Sequence, residues 1–162
     1  MNIFVLDRNP AKAAAMLCDC HVRKMCMETS QILSAVMLRR GLELSPEMPK
    51  PQSLNHPVIV AADADSDGLD WVINYNFELH RQFSIRFGKP HIYAVLAMDY
   101  VSELWSGSYP GDCSNLAMVC GGMQHCGLGI VEAYRMYYKE VKKVGLIEKG
   151  LWKFTNAEDW TK

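Results

Sequence analysis

The stretch CDCHVRKMCMETSQILSAVMLRRG, from Cys18 to Gly41, places apolar residues three or four positions apart along its whole length. This spacing matches the helical turn, so the apolar residues form one stripe of a helix. Such a helix is stable when its stripe packs on a core, and 162 residues are enough to build one. The sequence therefore predicts a helix over about 19–40, ended by Gly41. Its apolar stripe consists of Val22, Met25, Thr29, Ile32 and Val36.

Other segments also carry helix signals, and only one reads as extended. Asn9 can cap a helix with Pro10 in its first turn, and a further helix over roughly 67–87 would stop at Gly88. Pro90 can open HIYAVLAMDYVSELW as a helix, and IVEAYRMYYKEVKKV is the last strong one, whereas VIVAADA is either a helical turn or a short strand. NIFVLD is either an edge strand or a buried extended segment. We therefore expect a mainly α protein: a single helical domain over 1–162 with a short N-terminal strand, and an aromatic tail packed on the core.

Charge and composition narrow the function classes. The net charge of −1 gives no overall attraction to nucleic acid, although a local basic groove remains open. No segment approaches the roughly 20 apolar residues of a membrane span, and MNIFVLDRNP lacks the features of a signal peptide. The six cysteines are then expected to be free thiols in a reducing cytoplasm. They include no C-x-x-C pair, so we expect buried thiols and no zinc site.

DADSDG, which begins at Asp63, resembles the start of a calcium-binding EF-hand loop. The twelfth position of that loop is Asn74, where a bidentate glutamate should close the site. We therefore expect Asp67 to cap a helix, with Asp70 near its positive end, and no calcium site.

Four polar residues form a second stripe on the helix over 19–40. They are His21, Lys24, Glu28 and Gln31, spaced three, four and three positions apart. A histidine, an amine, a carboxylate and an amide on one face can perform acid–base chemistry or bind a polar ligand. The alternative is a solvated face with an ordinary Lys24–Glu28 pair.

Two other motifs carry groups suited to ligand binding. RFGKPH supplies Arg86, Lys89 and His91 at a corner, where they suit a phosphate or carboxylate or simply complement the end of a helix. NHP places His56 in a proline-rich loop. The tyrosines of AYRMYY could stack on a base, but are more typical of a half-buried core.

Taken together, CDCHVRKMCMETSQ, NHP and RFGKPH resemble a family of small proteins of tailed bacteriophages with C-D-x-H-V-x-K-M-x-x-E, N-H-P and R-[YF]-G-K-x-H motifs. Members of that family are loosely linked to DNA-repair glycosylases and phage DNA metabolism. Cys20 and Gln82 depart from the pattern, in which lysine and glutamate stand at these places. The motif positions here are Cys18, Asp19, His21, Lys24, Glu28, Gln31, Asn55, His56, Trp71, Arg86, Lys89 and His91.

The resemblance implies an enzyme of the host-cell cytoplasm that acts on a nucleotide or DNA base, without a cofactor or metal. Its expected catalytic residues are His21, Lys24 and Glu28. Its expected substrate-binding residues are Gln31, Asn55, His56, Trp71, Arg86, Lys89 and His91. The alternatives are a non-catalytic binder of a nucleotide-like ligand or host protein, and a purely structural protein. The oligomeric state stays open.

Overall fold

The computed structural model describes residues 2–94, 102–120 and 127–162, and within them the protein is mainly helical, as predicted. A π-helical segment, Tyr138–Lys142, joins the last two helices, and 102–104 form a short helical turn. The helices are α1 (Pro10–Ala15), α2 (Asp19–Arg39), α3 (Pro57–Ala64), α4 (Ser66–Phe87), α5 (Ile130–Tyr137) and α6 (Lys143–Glu148). None of them is both long and apolar enough to cross a membrane.

The N-terminal segment is extended and buried but forms no strand with any described residue. Side chains satisfy its carbonyl groups where a sheet neighbour would otherwise do so. The Tyr75 hydroxyl donates to the Phe4 carbonyl, and the Arg135 guanidinium donates to that of Leu6. The expected strand is therefore wrong, and the buried extended alternative describes this segment.

The two longest helices, α2 and α4, pack against each other and organise the core. The predicted apolar stripe of α2 is buried throughout, and Trp71 and Tyr75 of α4 are fully buried. The interface also contains a polar contact, because the Asn76 side chain donates to the hydroxyls of Thr29 and Ser30. This contact satisfies groups that would otherwise be costly to bury.

Capping residues define the start of α1 and the end of α4 as predicted. Asn9 accepts from two backbone amides of α1, and Gly88 ends α4 with a φ of 68°. The cap of α4 is Asp65, whereas Asp67 was expected. VIVAADA is helical and belongs to α3, which the His56 side chain caps.

DADSDG runs through the end of α3 and the start of α4, so it does not form an EF-hand loop. Asp63 is paired instead with the guanidinium groups of Arg39 and Arg40, at 2.8 and 2.9 Å. Asp70 is fully buried, and accepts from the Ser106 and Ser108 backbone amides. Its role is thus to hold the loop at 106–108 against α4.

The C-terminal tail packs on the core as expected, with the Trp160 indole donating to the Met16 carbonyl. The helix predicted from Pro90 is not formed over 91–94, which is a turn. Its continuation at 95–101 lies outside the described residues.

Arg86 connects α4 to the corner between α1 and α2. Its side chain is fully buried and donates to the carbonyls of Ala15 and Leu17 and to the Asp19 carboxylate, 3.1 Å away. Asp19 in turn accepts from the amide and hydroxyl of Thr155 in the tail. This ion pair therefore joins four parts of the chain.

Replacing Arg86 with alanine is expected to lower the free energy of unfolding by about 3–5 kcal/mol, since it leaves a largely buried carboxylate without its cation. Urea unfolding measures this change. The control is Arg81→Ala, which removes an exposed pair with Glu78 and should cost less than about 0.5 kcal/mol. Equal losses for the two variants would contradict the assignment.

Calcium is expected to leave the thermal midpoint of the metal-depleted protein unchanged, because the Asp63 carboxylate is engaged by two arginines and no EF-hand loop is formed. Melting curves with and without millimolar calcium measure this. A rise of several degrees would contradict the interpretation.

Candidate functional site

The polar stripe of α2 divides between two environments. His21 lies near the start of the helix among aromatic side chains, where its ring contacts Phe4 and Tyr138. Lys24 and Glu28 lie further along and contact each other, and Glu28 also contacts the N-terminal segment. The stripe therefore supports two separate sites.

The Lys24–Glu28 pair joins an exposed amine to a buried carboxylate. Lys24 Nζ lies 3.2 Å from Glu28 Oε1, and the two side chains are 59% and 9% exposed. The other carboxylate oxygen, Oε2, accepts from the Asn2 backbone amide at 3.1 Å. The carboxylate is thus held in place beneath an amine that solvent and ligands can reach.

Gln31 follows Glu28 by three positions on α2, and His56 is close enough for the charge of Glu28 to act on its ring. The Gln31 amide donates to the Lys50 carbonyl, which ties α2 to the proline-rich loop. His56 Nδ1 accepts from the Val58 amide, so in the neutral ring the proton is assigned to Nε2. Partial burial lowers the pKa of His56, although the negative charge of Glu28 acts in the opposite direction. We refer to Lys24, Glu28, Gln31 and His56 as the amine–carboxylate site.

His21 belongs to a second group, the thiol cluster of Cys18, Cys20, His21 and Tyr138. The Tyr138 hydroxyl lies 2.8 Å from His21 Nδ1 and 3.3 Å from the Cys18 sulfur, and it accepts from the Cys18 amide. The Cys18 sulfur also lies 3.5 Å from both the Cys20 sulfur and His21 Nδ1. Several donors therefore converge on one sulfur atom.

This convergence favours a thiolate at Cys18. The hydrogen bond from the Cys20 thiol, helped by His21 and Tyr138, lowers the pKa of Cys18 to about 4, although burial opposes the shift. The same contact raises the pKa of Cys20, so the pair retains one proton at neutral pH. Cys18 also occupies the N-cap position of α2, without a side-chain capping bond, where the helix dipole favours negative charge.

The other predicted substrate-binding residues do not join either group. Arg86 is fully buried and bonded within the fold, so it cannot reach a ligand, and Trp71 is buried with its indole donating to the Arg8 carbonyl. Lys89 is exposed, and Asn55 is an exposed acceptor for Arg39. His91 packs on the rings of His80 and Phe83. Arg86, Lys89 and His91 are therefore not brought together with either group.

The sequence patterns did not predict the thiol cluster. The C-x-C-H spacing of Cys18, Cys20 and His21 was a usable signal, but the contribution of Tyr138 depends on a contact 120 positions away. A small cleft of about 190 Å³ opens beside Cys20. Its lining consists of Asp19, Cys20, Arg23, Gly150, Leu151 and Lys153.

Comparisons with known proteins give no match to any family model, curated protein or solved structure. The resemblance to the phage family therefore remains a prediction that rests on the motifs alone.

The ultraviolet thiolate absorbance of Cys18 is expected to be present at pH 7 and to disappear as the pH falls through about 4. The measurement is the absorbance difference between the wild type and Cys18→Ser during an acid titration. The control is Cys113→Ser, which should lose no absorbance at pH 7, because burial raises the pKa of that thiol to about 11. A Cys18 signal that titrates near pH 9 would show that the cluster does not stabilise the thiolate.

Proposed function

We propose that the protein is an enzyme that acts on a nucleotide or DNA base, with the amine–carboxylate site as its reactive centre. The observation that carries this proposal is the fixed position of Glu28, 9% exposed, beside a lysine that is 59% exposed. An ordinary surface pair needs no burial of its carboxylate, and burial has a desolvation cost. A cost of this kind is more typical of functional sites.

The chemistry available to these side chains is that of a glycosylase. Glu28 can accept a proton from water or from the Lys24 ammonium, which leaves a nucleophile for the sugar carbon that carries the base. As the new bond to that carbon forms, the bond from the carbon to the base nitrogen breaks. The base leaves with the bonding electrons and takes up a proton from solvent. The Nε2–H of His56 is a suitable hydrogen-bond donor to the departing base.

The burial of Arg86 changes which residue we expect to contact a phosphate. Arg86, one of the three residues expected to suit a phosphate, is paired with Asp19, and its side chain has no exposed surface. Lys50 is exposed, and Gln31 anchors its carbonyl beside the amine–carboxylate site. We therefore assign the phosphate contact to Lys50.

Glu28→Gln is expected to reduce release of free base by at least about 100-fold while leaving binding unchanged, because it removes the proton acceptor and keeps the shape. The measurement is base release from duplex oligonucleotides, each carrying one modified base, together with their binding by fluorescence anisotropy. The matched control is Glu78→Gln, which alters a half-buried glutamate paired with the exposed Arg81 and should leave both quantities unchanged. Equal activity of wild type and Glu28→Gln on a substrate that is turned over would refute the role of Glu28.

Reduction with borohydride in the presence of an oligonucleotide containing an abasic site distinguishes attack by the Lys24 amine from attack by water. If the Lys24 amine attacks, it forms an imine with the sugar aldehyde, and reduction joins the DNA covalently to the protein. Peptide mass spectrometry should then find the adduct on Lys24, and Lys24→Arg should lose it while Lys89→Arg retains it. Base release without an adduct would assign the attack to water activated by Glu28.

A second candidate is a non-catalytic binder of an anionic, nucleotide-like ligand, and the cleft beside Cys20 favours it. Arg23 and Lys153 supply positive charge there, and the Arg23 guanidinium lies 4.2 Å from the centre of the Phe87 ring. Nucleoside monophosphate binding that is lost in Arg23→Ala and unchanged in Glu28→Gln, with no base release, would favour this candidate.

A further inference from the structure

A third group of side chains lies between α2, α4 and the turn that follows α4. Cys26 lies on α2, His80 on α4 and His91 in that turn. Their sulfur and nitrogen ligand atoms all lie within 4.8 Å of one another. In a tetrahedral zinc site, bonds of about 2.0–2.3 Å separate the ligand atoms by about 3.5 Å, so modest side-chain rotations complete the approach.

His80 supplies an independent sign that a ligand is missing from this position. Its ring is 6% exposed, and neither Nδ1 nor Nε2 has a hydrogen-bond partner among the described residues. Buried polar atoms are almost always paired, because water can no longer solvate them. A metal ion bound to one ring nitrogen removes part of this deficit.

The protonation states of the group suit metal binding. Burial lowers the pKa of His80 to about 4 and also lowers that of His91, which favours the neutral rings that ligation requires. Burial raises the pKa of Cys26 to about 12, so the thiol stays protonated until a cation displaces its proton. The ring of Phe83, with its centre 4.9 Å from that of His91, adds an apolar wall.

His91 is the ligand that must rearrange most. Its Nδ1 accepts a long hydrogen bond of 3.3 Å from the Tyr93 amide. Ligation through Nδ1 replaces that bond, and ligation through Nε2 moves the ring proton to Nδ1 and breaks it. Either route exchanges one long hydrogen bond for a metal–nitrogen bond.

The thiol cluster also brings three ligand atoms within 4.8 Å, but its donors and acceptors are already engaged. Cys18, Cys20 and His21 bond to one another and to Tyr138. A metal there would displace existing bonds, whereas at His80 it fills an unmet requirement. For this reason we prefer the group of Cys26, His80 and His91 to the thiol cluster as the candidate metal site.

We propose that Cys26, His80 and His91 bind a zinc ion, with one coordination position left for water or another ligand. One thiolate and two imidazoles are ligands that zinc accepts, and three protein ligands with an open position are typical of catalytic zinc sites. On binding, the Cys26 thiol releases its proton to solvent and the metal keeps its oxidation state. This inference does not depend on the amine–carboxylate site.

Cobalt(II) is the probe, because a thiolate bound to cobalt gives a charge-transfer band and a tetrahedral site gives intense visible bands. The full-length, metal-depleted protein should bind one equivalent, and zinc should displace it. Cys26→Ser should lose the charge-transfer band, and His80→Gln and His91→Gln should bind cobalt more than about 100-fold more weakly, a larger effect than loss of an outer hydrogen bond. The controls are Cys113→Ser and Cys18→Ser, which should retain the bands.

A second measurement tests zinc binding through the thermal midpoint, so that a loss of folding in a variant is not mistaken for a loss of metal binding. Zinc should raise the thermal midpoint of the metal-depleted wild type but not that of His91→Gln, a change outside the helices. Circular dichroism of each metal-depleted variant shows whether it is folded. The proposal is overturned if the wild type binds no cobalt. It is also overturned if the charge-transfer band disappears in Cys18→Ser and survives in Cys26→Ser.

Discussion

The buried ion pair between Arg86 and Asp19 is the contact on which the arrangement of the sites depends. Its two residues are 67 positions apart and join α4 to the start of α2, while Thr155 brings the tail to the same carboxylate. The start of α2 carries Cys18 and His21, so the pair also determines where the thiol cluster meets Tyr138. A buried charge of this kind tolerates few alternative geometries, because every donor and acceptor must keep its partner.

Helix α2 carries three chemically different groups on its surface. The thiol cluster lies at its start, the amine–carboxylate site faces the N-terminal segment, and Cys26 faces His80 of α4. One rigid helix therefore sets the spacing of all three. A change that rotates or shifts α2 would alter them together, whereas substitutions at one group leave the others in place.

The sequence was informative where structure follows from local chemistry. Asn9, Gly41 and Gly88 mark helix ends through capping and backbone conformation, and the stripe of α2 is readable from its period.

The candidate sites depend on long-range partners and were only partly predictable. Arg86 looked like a ligand-binding cation because its partner, Asp19, is distant in the sequence. The sequence predicts the Lys24–Glu28 pair and the structure contains it, because the two residues are neighbours on one helical turn. The group of Cys26, His80 and His91 has no sequence signal, since its members come from separate elements.

The extended N-terminal segment has a consequence for how the protein is made. The Asn2 backbone amide donates to the Glu28 carboxylate, and the Asn2 side chain accepts from the Tyr134 hydroxyl, 132 positions later. The Leu6 carbonyl accepts from the Arg135 guanidinium. The extended segment at 2–6 therefore cannot complete its contacts before Tyr134 and Arg135 have been synthesised. Until α5 has been synthesised, the Asn2 amide that donates to Glu28 is not yet fixed in position. The Lys24–Glu28 pair therefore reaches its final surroundings only after α5 has been synthesised, and until then the apolar stretch at 3–6 lacks part of its cover.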